Sequence, residues 1–245
     1  MTDRERTAFV TGAASGIGRA ICVSLHARGC RLVLADRQQA PLAALAAGLG
    51  DRAFPLPLDI TDGPAVASCL DRLPPEFRAI DILVNNAGHD IGGRVRFDAG
   101  SADDWAAIVE TNLTGLMRVT RAILPGMLER GRGDVVNMSS ISAIRMVPDQ
   151  APYSASKAGV HMLSDIIRGE LAETPIRVTE IMPGLTRTDI VKSRHRGDED
   201  AARKYFERFG MALDPEDVAR CVMFALDQPP HMQIAQMFVL PANRW

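Results

Sequence analysis

No stretch of this sequence stays apolar for the roughly 20 residues that a membrane-spanning helix requires. The charged opening, Met1 to Arg6, runs straight into Thr7-Ala8-Phe9-Val10 without the apolar segment that export uses. Charge of one sign is also missing: the formal net charge is −2 and no long like-charged run occurs. Nothing electrostatic therefore points to nucleic acid or an anionic membrane. The four cysteines, Cys22, Cys30, Cys69 and Cys221, are far apart and lack the close pairing of metal sites and redox motifs. No His/Cys/carboxylate cluster offers a metal site, and there are no repeats, low-complexity tracts or linkers. These absences set an expectation of a reduced, cytoplasmic protein with small-molecule partners and no metal.

What is present builds a core. Hydrophobic residues make up 47% and charged residues 24% of 245 residues, enough for one large buried interior. A single domain over residues 1–245 is expected. Short apolar runs alternate with longer segments of helical periodicity, the signature of parallel strands joined by crossover helices. Seven strands are predicted, at Thr7 to Thr11, Arg31 to Ala35, Ala53 to Pro57, Asp81 to Asn85, Asp134 to Met138, Arg177 to Ile181 and Gln236 to Leu240. Several are apolar throughout, as strands covered on both faces should be. Helices are predicted at Gly16 to Arg28, Ala40 to Leu49, Gly63 to Arg72, Ala102 to Arg130, Tyr153 to Glu173 and Pro215 to Gln228. Asp214 before Pro215 suits a helix start, because the aspartate caps orphan amides and proline fits the first turn. The class is α/β: a doubly wound, mainly parallel seven-stranded sheet with helices on both faces. The charge-rich segment 186–213 breaks the rhythm after a strand end and is expected to form a lid over a substrate pocket.

Thr11-Gly12-Ala13-Ala14-Ser15-Gly16-Ile17-Gly18 follows the first strand and opens the first helix. Glycines let the backbone approach a pyrophosphate closely, and amides at a helix N-terminus point at the anion. At the end of the second strand stands Asp36, where an acidic residue binds the adenosine ribose. Its carboxylate beside a 2′-phosphate would be repelled, so NAD is favoured over NADP. Arg37 argues the other way, since its guanidinium would pair with that phosphate if Asp36 turned aside.

Tyr153 and Lys157 are four residues apart in a helical segment, so both side chains reach one ligand. An ammonium near a phenol favours the phenolate and lowers its pKa from near 10, which would fit Tyr153 for proton exchange. Ser140 ends the fifth strand, at the edge where parallel sheets bind ligands, and its neighbour Ser139 competes for the same role.

Together these motifs resemble the short-chain dehydrogenase/reductase family over nearly the whole chain. In order they are Thr11 to Gly18, Asn85-Asn86-Ala87-Gly88, Asn112, Ser140 with Tyr153 and Lys157, and Pro183-Gly184-Leu185-Thr186-Arg187-Thr188. The resemblance implies the family spacing of 13 residues from serine to tyrosine, which selects Ser140 over Ser139. The resemblance implies a Rossmann fold with Gly12, Ser15, Gly16, Ile17, Gly18, Asp36 and Arg37 around the cofactor. It implies Asp59 and Ile60 at the adenine, Asn86, Ala87 and Gly88 on the adenosine side, and Pro183, Gly184, Thr186 and Thr188 toward the nicotinamide. Tyr153 is then the general acid/base, Ser140 orients the carbonyl, Lys157 holds the nicotinamide ribose, and Asn112 supports a water-mediated proton relay. The tail from Asp214 to Pro241 resembles the branch with serine-type and 3-hydroxy-acid dehydrogenases, whose members commonly use NADP. A homotetramer or homodimer is also implied.

The function this implies is hydride transfer between a nicotinamide cofactor and a secondary alcohol, ketone or hydroxy acid. Two other classes share parts of the pattern: a nucleotide-binding regulatory protein without turnover, and a sugar-nucleotide epimerase or dehydratase. The substrate pocket is expected from His89 to Arg96, Ser142 to Gln150 and the lid, where Arg145, Arg194 and Arg196 suggest an acidic substrate.

Overall fold

A computed structural model describes residues 5–209 and 211–242. Met1–Arg4, Asn243–Trp245 and, within the predicted lid, Gly210 lie outside the described residues. The seven strands are β1 (Thr7–Thr11), β2 (Arg31–Asp36), β3 (Ala53–Pro57), β4 (Ile80–Asn85), β5 (Gly133–Met138), β6 (Ile176–Pro183) and β7 (Gln236–Val239). They form one sheet in the order β3-β2-β1-β4-β5-β6-β7, every neighbouring pair parallel. The expectation of a mainly parallel sheet is thus met by a wholly parallel one.

Strand alternation divides the core in two. Ala8, Val10, Leu32 and Leu34 point to one face, while Phe9, Val33 and Ala35 point to the other. The first face is covered by α1 (Gly16–Ala27), α2 (Gln39–Leu49) and, further along the chain, α9 (Pro215–Leu226), through Ile21, Leu25, Leu42, Val218 and Val222. The second is covered by α3 (Gly63–Ala67), α5 (Leu116–Glu129) and α6 (Ala151–Glu170), with Val66, Val119, Ile123 and Met127 among the buried side chains, while α4 (Ala102–Val109) packs on α6. With both faces covered, the strands have no polar side to show water, and this is why they read as apolar runs.

Three predicted helices differ. The segment predicted as one helix from Ala102 to Arg130 is interrupted by a π-helical stretch, Glu110–Gly115, between α4 and α5. The helix predicted over Gly63 to Arg72 is α3 followed by a 3₁₀ turn, Cys69–Arg72, with Pro74 and Pro75 beyond. The helix predicted to start at Tyr153 starts at Ala151 and ends at Glu170, not Glu173. Pro152 belongs to its first turn, where the missing N–H of proline costs nothing.

The predicted lid folds into α7 (Asp189–Arg194) and α8 (Glu199–Phe209). Its two ends are joined: the Arg187 N–H donates to the Leu213 carbonyl (2.8 Å) and the Leu213 N–H to the Leu185 carbonyl (2.9 Å). Among the described residues, no helix is long and apolar enough to cross a membrane, and no group of three or more His, Cys, Asp or Glu residues is placed to hold a metal.

Candidate active site

The strand order turns back between β1 and β4, and the crevice at such a switch point is where open parallel sheets bind ligands. A cleft of about 250 Å³ opens there. Gly12, Ser15, Gly16 and Ile17 border it at the N-terminus of α1. Gly12 has φ +65°, and a Cβ added there would stand 2.8 Å from Asn86 Nδ2. Ser15 is the N-cap, and its hydroxyl is not used for capping. The turn is fixed from β4: the Asn86 amide group donates to the carbonyls of Thr11 (3.0 Å) and Gly12 (3.1 Å). The backbone N–H groups of Asn86 and Ala87 both donate to the Thr11 hydroxyl (3.0 and 3.1 Å). Gly18 is packed beneath, where a Cβ would fall 2.1 Å from the Gly12 carbonyl oxygen. This glycine cradle at the N-terminus of α1 fits a dinucleotide pyrophosphate.

At one end of the cleft lie Asp36, Arg37, Asp59 and Ile60. Asp36 is buried, and both carboxylate oxygens accept backbone amides: Oδ2 from Ala14 (3.0 Å) and Oδ1 from Gln38 (2.9 Å). Arg37 is exposed at the rim. Asp59 Oδ1 accepts from the Thr61 N–H (2.9 Å) and hydroxyl (2.7 Å). Partial burial pushes its carboxyl up, but the Thr61 bonds and the charges of Arg37 and His89 outweigh this and hold it below the usual range.

At the other end Tyr153, Lys157, Pro183 and Thr188 border the cleft, with Asn86, Ala87 and Gly88 between the two ends. Asn112, Ser140, Gly184 and Thr186 are not among the residues that border it. Gly184 donates its N–H to the Val239 carbonyl (2.8 Å), and the Thr186 hydroxyl donates to the Gly184 carbonyl (3.1 Å), at the base of the 186–213 segment. Ser139 and Ser140 have different partners, and Ser139 is the one of the two that borders the cleft. The Ser139 hydroxyl is turned to the Lys157 carbonyl (3.1 Å), whereas the Ser140 hydroxyl is bonded to the Tyr153 phenol.

The electrostatics correct one expectation. Burial pushes the Tyr153 phenol up to about 12, and the charge of Asp90 adds to this, against the Ser140 hydrogen bond and the charge of Arg194. The ammonium of Lys157 is not aimed at the phenol. Its Nζ donates to the Met138 carbonyl (2.8 Å) and stands 5.9 Å from the centre of the Tyr153 ring. Burial pushes Lys157 down to about 8, with Glu180 acting in the opposite sense. The sequence shows the pairing of the two residues but not the depth at which both are buried.

Asn112 lies in the π-helical stretch, a device common at functional sites. Its Oδ1 accepts from the His89 N–H (2.9 Å), and its Nδ2 donates to the His89 carbonyl (3.0 Å) and the Ser156 hydroxyl (3.1 Å). Sequence reasoning singled out Arg194 but missed the constellation it forms near Tyr153 with Asp90 and Gln150, all three buried. They lie on three separate segments, and no spacing rule connects them.

Fold and site together define a nicotinamide-dependent oxidoreductase. The chain belongs to the short-chain dehydrogenases, whose family model matches residues 6–199. A probable NADP-dependent dehydrogenase of Haemophilus influenzae is 37% identical over 239 residues, 97% of this chain and 94% of that protein. An NADP-dependent 3-hydroxy acid dehydrogenase of Shigella flexneri is 36% identical over 237 residues, 96% of this chain and 95% of that one. Among solved structures, the closed form of serine dehydrogenase complexed with NADP⁺ superposes with a TM-score of 0.95 at 35% identity, covering 98% of this chain and 96% of its own.

Proposed function

We propose that this protein is an NADP(H)-dependent dehydrogenase of hydroxy acids, with Tyr153 as the proton-transferring residue. The observation that carries the reading is the meeting of Tyr153, Ser140 and Lys157 at the end of a glycine-cradled nucleotide cleft. The relatives named for 3-hydroxy acids and serine support the substrate class.

The preference for NAD read from Asp36 is reversed. With both its oxygens engaged by backbone amides, Asp36 acts as a staple for the turn. Arg37 is then the charged side chain left at the ribose end, suited to a 2′-phosphate. The NADP-dependent relatives agree with this assignment.

When bound, the nicotinamide supplies the two-electron donor or acceptor. The protein's part is positioning and proton transfer. The α1 amides near Gly12 and Ser15 to Ile17 hold the phosphates, Asp59, Ile60 and Asn86 to Gly88 the adenosine half, and Pro183 and Thr188 the nicotinamide half. Gly18, Gly184 and Thr186 support these from behind. Ser140 orients the substrate oxygen against the Tyr153 hydroxyl. A phenol pushed up to about 12 is protonated at neutral pH, so it is ready to donate to the oxygen of a carbonyl being reduced. Lys157, cationic below about pH 8, binds ribose hydroxyls. Asn112 has its amide committed to His89 and Ser156, so it positions the proton path without carrying a proton itself.

The chain works as one domain with residues 186–213 as a lid. Its expected homodimer or homotetramer is supported by the exposed Met117, Met162 and Ile166, and light scattering decides it. A cytoplasmic location fits the four unpaired cysteines. The function is tested by following NADP⁺ and NAD⁺ reduction with serine and a series of 3-hydroxy acids. Turnover with NADP⁺ and a hydroxy acid is expected. Activity confined to uncharged alcohols or to NAD⁺ overturns the reading.

A further inference from the structure

We propose that Arg194, on lid helix α7, is the residue that recognises the substrate carboxylate, held in place by Asp90 and Gln150. This rests on the hydroxy-acid reading above and adds to it the group that selects for acids.

Arg194 is 7% exposed, Gln150 3% and Asp90 2%. Asp90 Oδ2 accepts from Arg194 Nε (2.7 Å) and from Gln150 Nε2 (2.7 Å). Three elements therefore converge on one carboxylate: the loop after β4, the N-cap of α6 two turns of chain before Lys157, and the lid. One side of the guanidinium is used in this way, and its plane is covered by the Tyr205 ring, whose centre is 5.1 Å from Cζ. Nη1 is buried and has no hydrogen-bond partner.

A buried guanidinium N–H without an acceptor is rare, because each loses its water on folding and gains nothing in return. A carboxylate would satisfy it, and the planar fork of arginine is matched to that group. Position agrees with chemistry. The charge of Arg194 is felt at the Tyr153 phenol, and Asp189, Ile190 and Ser193 of the same helix border the cleft. A molecule whose hydroxyl rests on Tyr153 would carry a carboxylate a carbon or two away toward Arg194. Asp90 neutralises the charge when no substrate is bound, so that the arginine stays buried and oriented. Arg196, also on the lid, is unsuited to this role: it is exposed and paired with Asp104.

The test compares 3-hydroxypropanoate with its methyl ester, which keeps the reacting carbon and removes the charge. The quantity read is the acid-to-ester ratio of kcat/KM with NADP⁺. It is measured for the wild type, for Arg194→Met, and for the double variant Asp90→Asn with Arg194→Met, which leaves no buried carboxylate unpaired and protects the fold. A wild-type ratio of about 100 or more is expected, falling to near one in both variants through KM, since a site built around a polar partner discriminates by at least this factor. A high wild-type ratio that both variants keep overturns the assignment of Arg194 alone. A wild-type ratio near one overturns the hydroxy-acid reading itself and this inference with it.

Discussion

Asn112 and His89 clasp each other through two hydrogen bonds, the His89 N–H to Asn112 Oδ1 and Asn112 Nδ2 to the His89 carbonyl. The pair ties the loop after β4, which leads to Asp90, to the π-helical stretch behind Lys157. Asn112→Ala leaves these backbone groups and the Ser156 hydroxyl without their partner. We expect a stability loss of about 2 kcal/mol and a fall in kcat of roughly 100-fold through misplacement of the site. Denaturant unfolding and steady-state kinetics measure the two; an unchanged kcat removes Asn112 from the positioning scheme.

Tyr153→Phe takes away the hydroxyl and leaves the ring. The expected result is a drop in kcat of about a thousandfold, the scale of general acid/base catalysis, with NADPH binding changed by less than about threefold. Stopped turnover with retained cofactor fluorescence checks this, and near wild-type turnover would show that another group moves the proton.

At the ribose end, Arg37 and Asp36 should separate cleanly. Arg37→Ala is expected to weaken NADP⁺ by roughly 30-fold, the equivalent of about 2 kcal/mol for a charge-assisted contact, and to leave NAD⁺ nearly unaffected. Asp36→Ala, which releases the amides of Ala14 and Gln38, should weaken both cofactors alike. Isothermal titration of the two variants with each dinucleotide decides between staple and selector. A selective gain of NADP⁺ affinity in Asp36→Ala would return Asp36 to the role read from the sequence.

Lys157 makes stability depend on pH. Its folded pKa of about 8 lies below the ordinary 10.5, so at pH 7 both folded and unfolded chains carry the proton and the full cost of burying the ammonium is present. Between about 8 and 10.5 the folded chain has released a proton that the unfolded chain still holds, and folding becomes more favourable as pH rises. Lys157→Met should therefore be inactive yet more stable than the wild type at pH 7, by up to about 3 kcal/mol, with the difference shrinking by pH 9.5. Urea unfolding at the two pH values tests this; a gap that does not change with pH refutes the depressed lysine.

The strands were legible in the sequence because burial on both faces leaves a signal in every residue of a run such as Ile82-Leu83-Val84. Gly12 and Gly16 were legible for a similar reason, since positive φ restricts the choice of residue. The role of Asp36 was not. A carboxylate at a strand end has the same one-letter code whether its lone pairs face a ribose or the amides of Ala14 and Gln38, and only the tertiary path of the turn decides. The acidity expected of Tyr153 failed likewise, because spacing gives the neighbour Lys157 but not the loss of water around both. Asp90 and Gln150 are 60 residues apart in the chain, so no local pattern joined them to Arg194.

The hydrogen bonds between Leu185, Arg187 and Leu213 close the lid segment at its base, like a drawstring at the neck of a bag. Between those ends the segment reaches back to the body through Arg194 on Asp90 and Arg196 on Asp104, and enlarging a loop whose ends already meet adds little entropic penalty. On the proposed reading, selectivity among acids rests partly on this segment, through Arg194, and partly on Asp90 and Gln150 beneath it. Exchanging the stretch between Arg187 and Leu213 with that of a relative would, on that reading, change substrate and cofactor contacts together, because Thr188, Asp189, Ile190 and Ser193 border the nucleotide cleft.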